Sequence, residues 1–525
     1  MHDLWCIYRQ LAAEIFVLVS ESLPRKWNYS MPRTPTLSLI SLSLVAVTLG
    51  LCVSCSHSVS AAASPDVASQ PPAAALVQPF IHTVKRGESF PALLRQYLSH
   101  TPYMTLPELE AAAREANHFA AGAVKPGQQL IIPQYDAAPW IEHSVLMARD
   151  EEVRAIYLTG LMAGSEHGIR LIQRWHDLGG NSVVFDIKDS DGLTSVAFDH
   201  PLAPKIHHPY ISNLPKFIRF LHGMNMHAIA RIALFRDEHL VTNHPELAVQ
   251  SASALKAADG KGPQPWRENG KLVWTDTSNT AVQDYNLALA KFVAASGADE
   301  IQFDYVRFPA EGNQADARFA YMSAPRECGA AKDTAPAIAA CAARTRADVI
   351  SDFLARTYRE LHPSGVLLSL DVFGVMAWQR PVDLSHTGQD IVRMARSCDV
   401  LSPMIYPSHF FGMDGYAQPG DAPEHFISTS LQRFEKITKD SGVVVRPWLQ
   451  AFAWRTKTYS PQYIETQVRV ARENGGIGFL FWNARNDYGR PFAAMPQMRA
   501  DAAHYFQAQS GGKTAQTAAS SGPGK

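Results

Sequence analysis

The stretch Glu300-Ile-Gln-Phe-Asp-Tyr-Val-Arg-Phe-Pro309 sets a carboxylate, Asp304, three residues from a guanidinium, Arg307, among aromatic side chains. Ile301 and Phe303 alternate as strand residues do, and Pro309 closes the run. Charged groups are costly to bury and rare in a plain core strand. Asp304 therefore reads as a catalytic carboxylate where a strand opens into a loop. Asp371, in Ser369-Leu-Asp-Val-Phe-Gly374, ends another apolar strand and reads the same way. Two carboxylates on adjacent strand ends suit glycosidic hydrolysis. One attacks or stabilises the anomeric carbon, and the other, kept protonated by its surroundings, donates to the leaving oxygen. A separation of about 5–5.5 Å gives retention of configuration and about 6.5–9.5 Å gives inversion. Arg307 is expected to hold Asp304 ionised, and the apolar neighbours of Asp371 to keep it protonated.

Further polar residues end the other apolar runs, and they are the candidates for substrate contact. They are Asp186, Lys188 and Asp189; Arg231; Tyr305 and Arg307; Tyr406 and His409; Trp448 and Gln450; and Trp482 and Asn483. Plainer roles exist for several. Asp186 and Asp189 can accept hydrogen bonds from turn amides, His409 can be an ordinary loop histidine, and Arg236 and Asp237 can form a surface ion pair. Asp189-Ser-Asp191-Gly192 misses the register of a calcium loop, and no Cys/His spacing suits zinc, so no metal and no cofactor is expected.

Such strand ends need a fold that gathers them. Residues 137–507 alternate apolar strand-like runs with helical patterns, eight of each, the third strand being followed first by a long Trp-rich insertion. That order predicts a (β/α)8 TIM barrel, with its site at the C-terminal ends of the strands. A doubly wound open sheet is the alternative, but no GxGxxG follows the first strand.

The N-terminal quarter differs. Residues 1–55 read as an extension plus a signal peptide, with Met31 a candidate initiator, Arg33 the positive start and Leu37 to Leu51 the apolar core. That core is short of the ~20 residues of a membrane span. Residues 56–78 are an Ala/Ser/Pro linker. Residues 79–134 read as strand, helix, helix, strand, a small α+β module. Residues 508–525 read as a disordered tail. Of six cysteines, Cys328 and Cys341 flank one loop and can form a disulfide in an exported protein, worth about 3 kcal/mol; two free thiols are the alternative.

Composition sets the outer bounds. With 46% hydrophobic and 18% charged residues the chain is globular in character, and a net charge of -1 points neither to nucleic acid nor to bulk attraction to anionic lipid. Ten Trp and seventeen Tyr offer flat faces for sugars, although most such rings are core.

Several motifs resemble known families. Leu51-Cys-Val-Ser-Cys55 resembles a bacterial lipobox, which implies lipidation at Cys55; simple cleavage is the alternative. His82-Thr-Val-Lys-Arg-Gly-Glu-Ser89 and Val124-Lys-Pro-Gly-Gln-Gln-Leu-Ile-Ile-Pro133 resemble the two ends of a LysM domain. That resemblance implies binding of N-acetylglucosamine-containing glycans such as peptidoglycan. Phe185-Asp-Ile-Lys-Asp189, Gln302-Phe-Asp-Tyr-Val-Arg-Phe-Pro309, Ser369–Gly374 and Ser402-Pro-Met-Ile-Tyr-Pro407 resemble the bacterial "putative glycoside hydrolase" domain family, a TIM-barrel group related to the alpha-amylase-like barrels. The likeness runs from Ile156 to Asp487. It implies a nucleophile at Asp304 and an acid at Asp371. The chain departs from the alpha-amylase pattern in three ways. Asp371 replaces the usual Glu, Gln302 stands where Arg precedes the nucleophile by two, and strand 7 offers Gln450 rather than a third carboxylate. Asp186 or Asp189 is the best substitute for that third group.

The expected function is an exported glycoside hydrolase acting on a cell-envelope or extracellular polysaccharide. It would bind peptidoglycan through the LysM-like module and the membrane through Cys55 if acylated, either membrane-anchored or free in the periplasm. The alternative is a non-catalytic, polysaccharide-binding envelope lipoprotein. A polysaccharide deacetylase is disfavoured, because the barrel lacks the Asp-Asp and H-x-x-x-H metal set.

Overall fold

The computed structural model of the chain describes residues 79–119, 123–323 and 344–507. The signal peptide, Cys55, the linker, Cys328, Cys341 and the tail lie outside the described residues. Eight barrel strands run in chain order: β1 Val153–Leu158, β2 Ser182–Lys188, β3 His227–Ala233, β4 Glu300–Asp304, β5 Leu367–Phe373, β6 Val400–Ile405, β7 Val444–Val445 continued by Trp448–Gln450, and β8 Gly478–Trp482. Each pairs in parallel with the next, and β8 pairs with β1, so the sheet closes. The fold is a (β/α)8 barrel.

Strand periodicity accounts for the two cores. Outward residues such as Ile156, Phe185, Ile232, Phe303, Leu370 and Phe481 pack with the helices. Inward residues Val153, Ala155, Tyr157, Val184, Ile229, Tyr406, Trp448 and Leu480 form a separate cluster inside the barrel. Both faces of a parallel sheet are covered, which is why these strands read as near-continuous apolar runs. The helices start where local chemistry lets them. Ser165, Asn213 and Ser460 each accept the backbone N–H three residues on, and Thr345 with Asp348 forms a capping box.

The barrel floor is ionic. Glu300, the first residue of β4, accepts from Arg446 Nη1 at 3.0 and 2.8 Å and meets His227 Nε2 at 3.0 Å. Burial alone would raise the Glu300 pKa, but Arg446 and His227 outweigh it and hold the carboxyl at about 2. Arg446 and Pro447 interrupt β7. Proline supplies no ladder N–H, and the Pro447 carbonyl still accepts from Leu480 N at 3.0 Å.

Residues 79–134 form a β-α-α-β unit. Phe80–Thr83 pairs antiparallel with Gln129–Ile132, and helices Phe90–Tyr97 and Leu106–Ala116 lie between them. Val84, Phe90, Leu93, Leu109, Leu130 and Ile132 give it a core of its own. It is fastened to the helix that follows β2, Leu214–Gly223. Lys216 Nζ donates to the carbonyls of Leu98 at 2.6 Å and Tyr103 at 2.5 Å, and Asn213 Nδ2 donates to Ser99 O at 3.2 Å. Trp140 Nε1 reaches the same Ser99 carbonyl at 3.0 Å. Among the described residues no helix is long and apolar enough to cross a membrane.

Candidate active site

Asp304 and Asp371 end up side by side. Phe303 pairs with Leu370 in the β4–β5 ladder, so the next residue on each strand stands at the same level. Asp304 Oδ2 accepts from Arg231 Nη2 at 2.7 Å and Nε at 3.3 Å, and its Oδ1 accepts from the Tyr305 backbone N–H at 2.6 Å. That last bond needs the chain to turn sharply. Tyr305 has φ +51°, a left-handed conformation that bulky residues adopt only where the surroundings impose it.

Arg231 on β3 is the hub. Its Nη1 donates to Asp186 Oδ1 at 2.5 Å, and Tyr157 OH donates to Asp186 Oδ2 at 2.5 Å. The guanidinium lies 5.6 Å from the Tyr157 ring and 5.3 Å from the Trp482 ring, and these two rings stack at 4.1 Å. Burial disfavours the Arg231 charge, yet Asp186 and Asp304 outweigh burial and hold its pKa well above the ordinary value. Asp186 is 1% exposed, and burial pushes it up to about 7 in spite of Arg231. Arg307 does not do what its position in the motif implied. Its guanidinium lies over Phe373 at 4.5 Å and Trp274 at 4.8 Å, while Arg231 holds Asp304. A strand-to-loop turn separates residues 304 and 307, whereas Arg231 stands opposite Gln302 on the paired strand, and its long side chain reaches the carboxylate two residues further along.

Asp371 has the opposite surroundings. It is 2% exposed, and Oδ1 accepts from Trp448 Nε1 at 2.7 Å. Burial, and then the charge of Asp304, push its pKa well above the carboxylate range. Tyr406 shares that space, its phenol raised by burial and then by Asp371 and Asp304. Gly374 closes the motif because a Cβ there would lie 2.6 Å from Met404 O on β6.

Three of the expected contact residues are committed elsewhere. Lys188 is fully buried, and its ammonium donates to Leu234 O at 3.1 Å, Asp237 Oδ2 at 2.9 Å and Asn286 Oδ1 at 2.9 Å, which uses its three protons. Gln450 is likewise buried. It accepts from Ser408 N at 3.1 Å and donates to Phe452 O and Thr456 Oγ1, each at 2.9 Å. Asn483 donates to Ala451 O and Asp487 O and accepts from Arg485 N. The bonds of these side chains run to neighbouring strands and loops. The expected surface pair of Arg236 and Asp237 is also corrected. Asp237 is 1% exposed and caps the helix Glu238–Asn243 through Leu240 N at 2.7 Å, while Arg236 donates to Ser190 Oγ.

The remaining candidates line the opening in graded exposure. Asp189 has a side chain 49% exposed and lies 3.8 Å from Arg231. Trp482 and Tyr305 are half-buried, whereas Trp448 is buried as the partner of Asp371. His409 is half-buried, bonded through Nδ1 to Ser408 Oγ at 3.1 Å. Burial and then Arg455 push its pKa down to about 3, so it is neutral at pH 7. Tyr157 was not expected from sequence. Its signal was a phenol at an inward position of a strand whose other polar residue, Arg154, points the opposite way. Among the described residues no group of three or more His, Cys, Asp or Glu side chains is placed to hold a metal ion.

A family model described as "Putative glycosyl hydrolase domain" matches residues 155–488, from within β1 to just past β8. Among solved structures, a hypothetical protein from Ruminiclostridium thermocellum is 31% identical over 41% of this chain and 97% of its own, with a TM-score of 0.31. The glycoside hydrolase domain of PgaB (BpsB) from Bordetella bronchiseptica is 15% identical over 67% of this chain and 97% of its own, with a TM-score of 0.44. A chitinase from Chromobacterium violaceum is 13% identical over 66% and 99%, with a TM-score of 0.37. No curated protein matches the chain.

Proposed function

The chain belongs to this glycosyl hydrolase domain family, and on that premise we propose that it is an exported glycosidase that cleaves a cell-envelope or extracellular polysaccharide with Asp304 and Asp371. The observation that carries the reading is the asymmetry of the pair. Asp304 accepts hydrogen bonds on both oxygens from Arg231 and Tyr305. Asp371 is buried, has one donor, Trp448, and is raised by the neighbouring charge. Asp371 is thus the acid that protonates the leaving glycosidic oxygen, and Asp304 is the carboxylate that meets the anomeric carbon. Water then completes the hydrolysis, with Asp371 taking its proton. Adjacent strands lie about 4.8 Å apart, a spacing that favours the shorter of the two catalytic separations, about 5–5.5 Å. On this reading the reaction retains configuration through a glycosyl–Asp304 ester.

The test is a hydrolysis screen on a polysaccharide panel with the full chain, Asp304→Asn and Asp371→Asn. Loss of the general acid is expected to slow a responsive substrate about 10²–10⁴-fold, and proton NMR of the fresh product is expected to show the starting anomer. Full activity in both variants sinks the assignment.

The β-α-α-β unit supports a second role beside the first. Its LysM-like phrases and layout favour grip on peptidoglycan, with Cys55 as a lipid anchor. Co-sedimentation with purified peptidoglycan is expected for the full chain and not for one lacking residues 79–134; equal sedimentation of both removes this role.

A further inference from the structure

The loops after β6 and β7 carry a run of aromatic side chains outward from the carboxylate pair. Tyr406 is its inner end. The Tyr406 ring lies 5.4 Å from His409, His409 lies 4.9 Å from Trp454, and Trp454 lies 5.6 Å from Phe411. Phe452 backs the inner part, 5.6 Å from Tyr406 and 5.8 Å from His409. His409, Phe411 and Trp454 are all half-buried, so part of each side chain reaches solvent.

A cation sits at the outer end. Arg455 is exposed, and its guanidinium lies 4.1 Å from the Phe411 ring and 4.9 Å from the Trp454 ring. Among the described residues it makes no ion pair with a carboxylate. Its backbone is left-handed, φ +48°, which fixes the direction in which the side chain leaves the loop. Neighbouring His409 is neutral at pH 7, so it neither adds to nor cancels this charge.

We propose that this run is a distal subsite of the cleft for an anionic glycan, in which Trp454, flanked by His409 and Phe411, stacks a sugar away from the scission point and Arg455 binds its carboxylate or phosphate. The apolar face of a sugar suits an aromatic platform. The planar guanidinium fork matches either anion with two parallel hydrogen bonds. The subsite rests on the glycosidase reading only for the course of the cleft, because Tyr406 joins the run to Asp371 and Asp304.

The experiment is affinity electrophoresis of the full chain in gels containing polygalacturonate, phosphomannan or carboxyl-reduced polygalacturonate. The unmodified chain is expected to be retarded by at least one anionic polymer, about tenfold more strongly than by the neutral one, as one charge-assisted contact allows. Arg455→Gln is expected to abolish that preference and Arg455→Lys to keep part of it. Trp454→Ala is expected to weaken retardation by every polymer that binds, with an unchanged circular dichroism spectrum. Which anionic polymer retards the chain separates carboxylate from phosphate. No retardation by either anionic polymer, equal retardation by the neutral polymer, or a parent-like Arg455→Gln overturns the subsite. Binding is read here without bond cleavage. A chain that binds but hydrolyses nothing refutes the glycosidase reading alone, and hydrolysis without anion preference refutes the subsite alone.

Discussion

At the scale of single residues, two identical side chains meet different surroundings. Asp304 meets donors, and Asp371 meets apolar walls, one indole N–H and the charge of Asp304 itself. Removing that charge has a defined sign. In Asp304→Asn the upward push that Asp304 exerts on Asp371 disappears, so Asp371 titrates at lower pH than in the parent, while burial still raises it. Carbon-13 NMR of labelled aspartate reads this directly; an unmoved Asp371 titration separates the two groups and ends the pairing. The sequence showed where the carboxylates stand but not who holds them. Arg307 is close along the chain and far in bonding, whereas Arg231 is 73 positions away and 2.7 Å distant. Lys188, Gln450 and Asn483 misled for the same reason. A strand-end position is visible in one dimension, but the carbonyls and carboxylates that saturate a side chain come from other loops.

At the scale of elements, alternation along strands made the barrel legible. Each apolar run carries one face to the helices and one to the interior, and polar exceptions mark the inward rows. The floor was less legible, since Glu300 and Arg446 lie on strands far apart in the chain and pair only when the sheet has closed. That pair contributes at neutral pH. Glu300 is held at about 2 against an ordinary 4.5, so its contribution is complete above about pH 4.5 and is lost as pH falls toward 2. Arg446→Met strands a buried carboxylate and is expected to lower stability at pH 7 by about 3–5 kcal/mol. The deficit shrinks in acid, where the carboxyl can take up a proton. Urea unfolding at pH 7 and pH 4 measures both; an equal deficit at the two pH values contradicts the ionic account of the floor.

At the scale of the whole molecule, the N-terminal unit and the barrel are joined at Asn213 and Lys216, in the first turn of the helix after β2. Burial lowers the Lys216 ammonium to about 8, and its two carbonyl acceptors sit in the N-terminal unit. Lys216→Met takes the ammonium from Tyr103 O and leaves Leu98 O to Thr101 alone. Limited proteolysis is expected to cut residues 135–150 faster in that variant, while hydrolysis of a short substrate by the barrel is unchanged. Equal cleavage rates would show that the junction does not depend on this lysine. The position of Arg231 has a consequence of another kind. A search pattern written along the chain asks for Arg two places before the nucleophile, and it marks Gln302 as a defect. The guanidinium has moved one strand sideways. A pattern written by barrel layer, scoring which charge reaches the carboxylate from any neighbouring strand, would accept this chain and others in which the cation comes from the next strand.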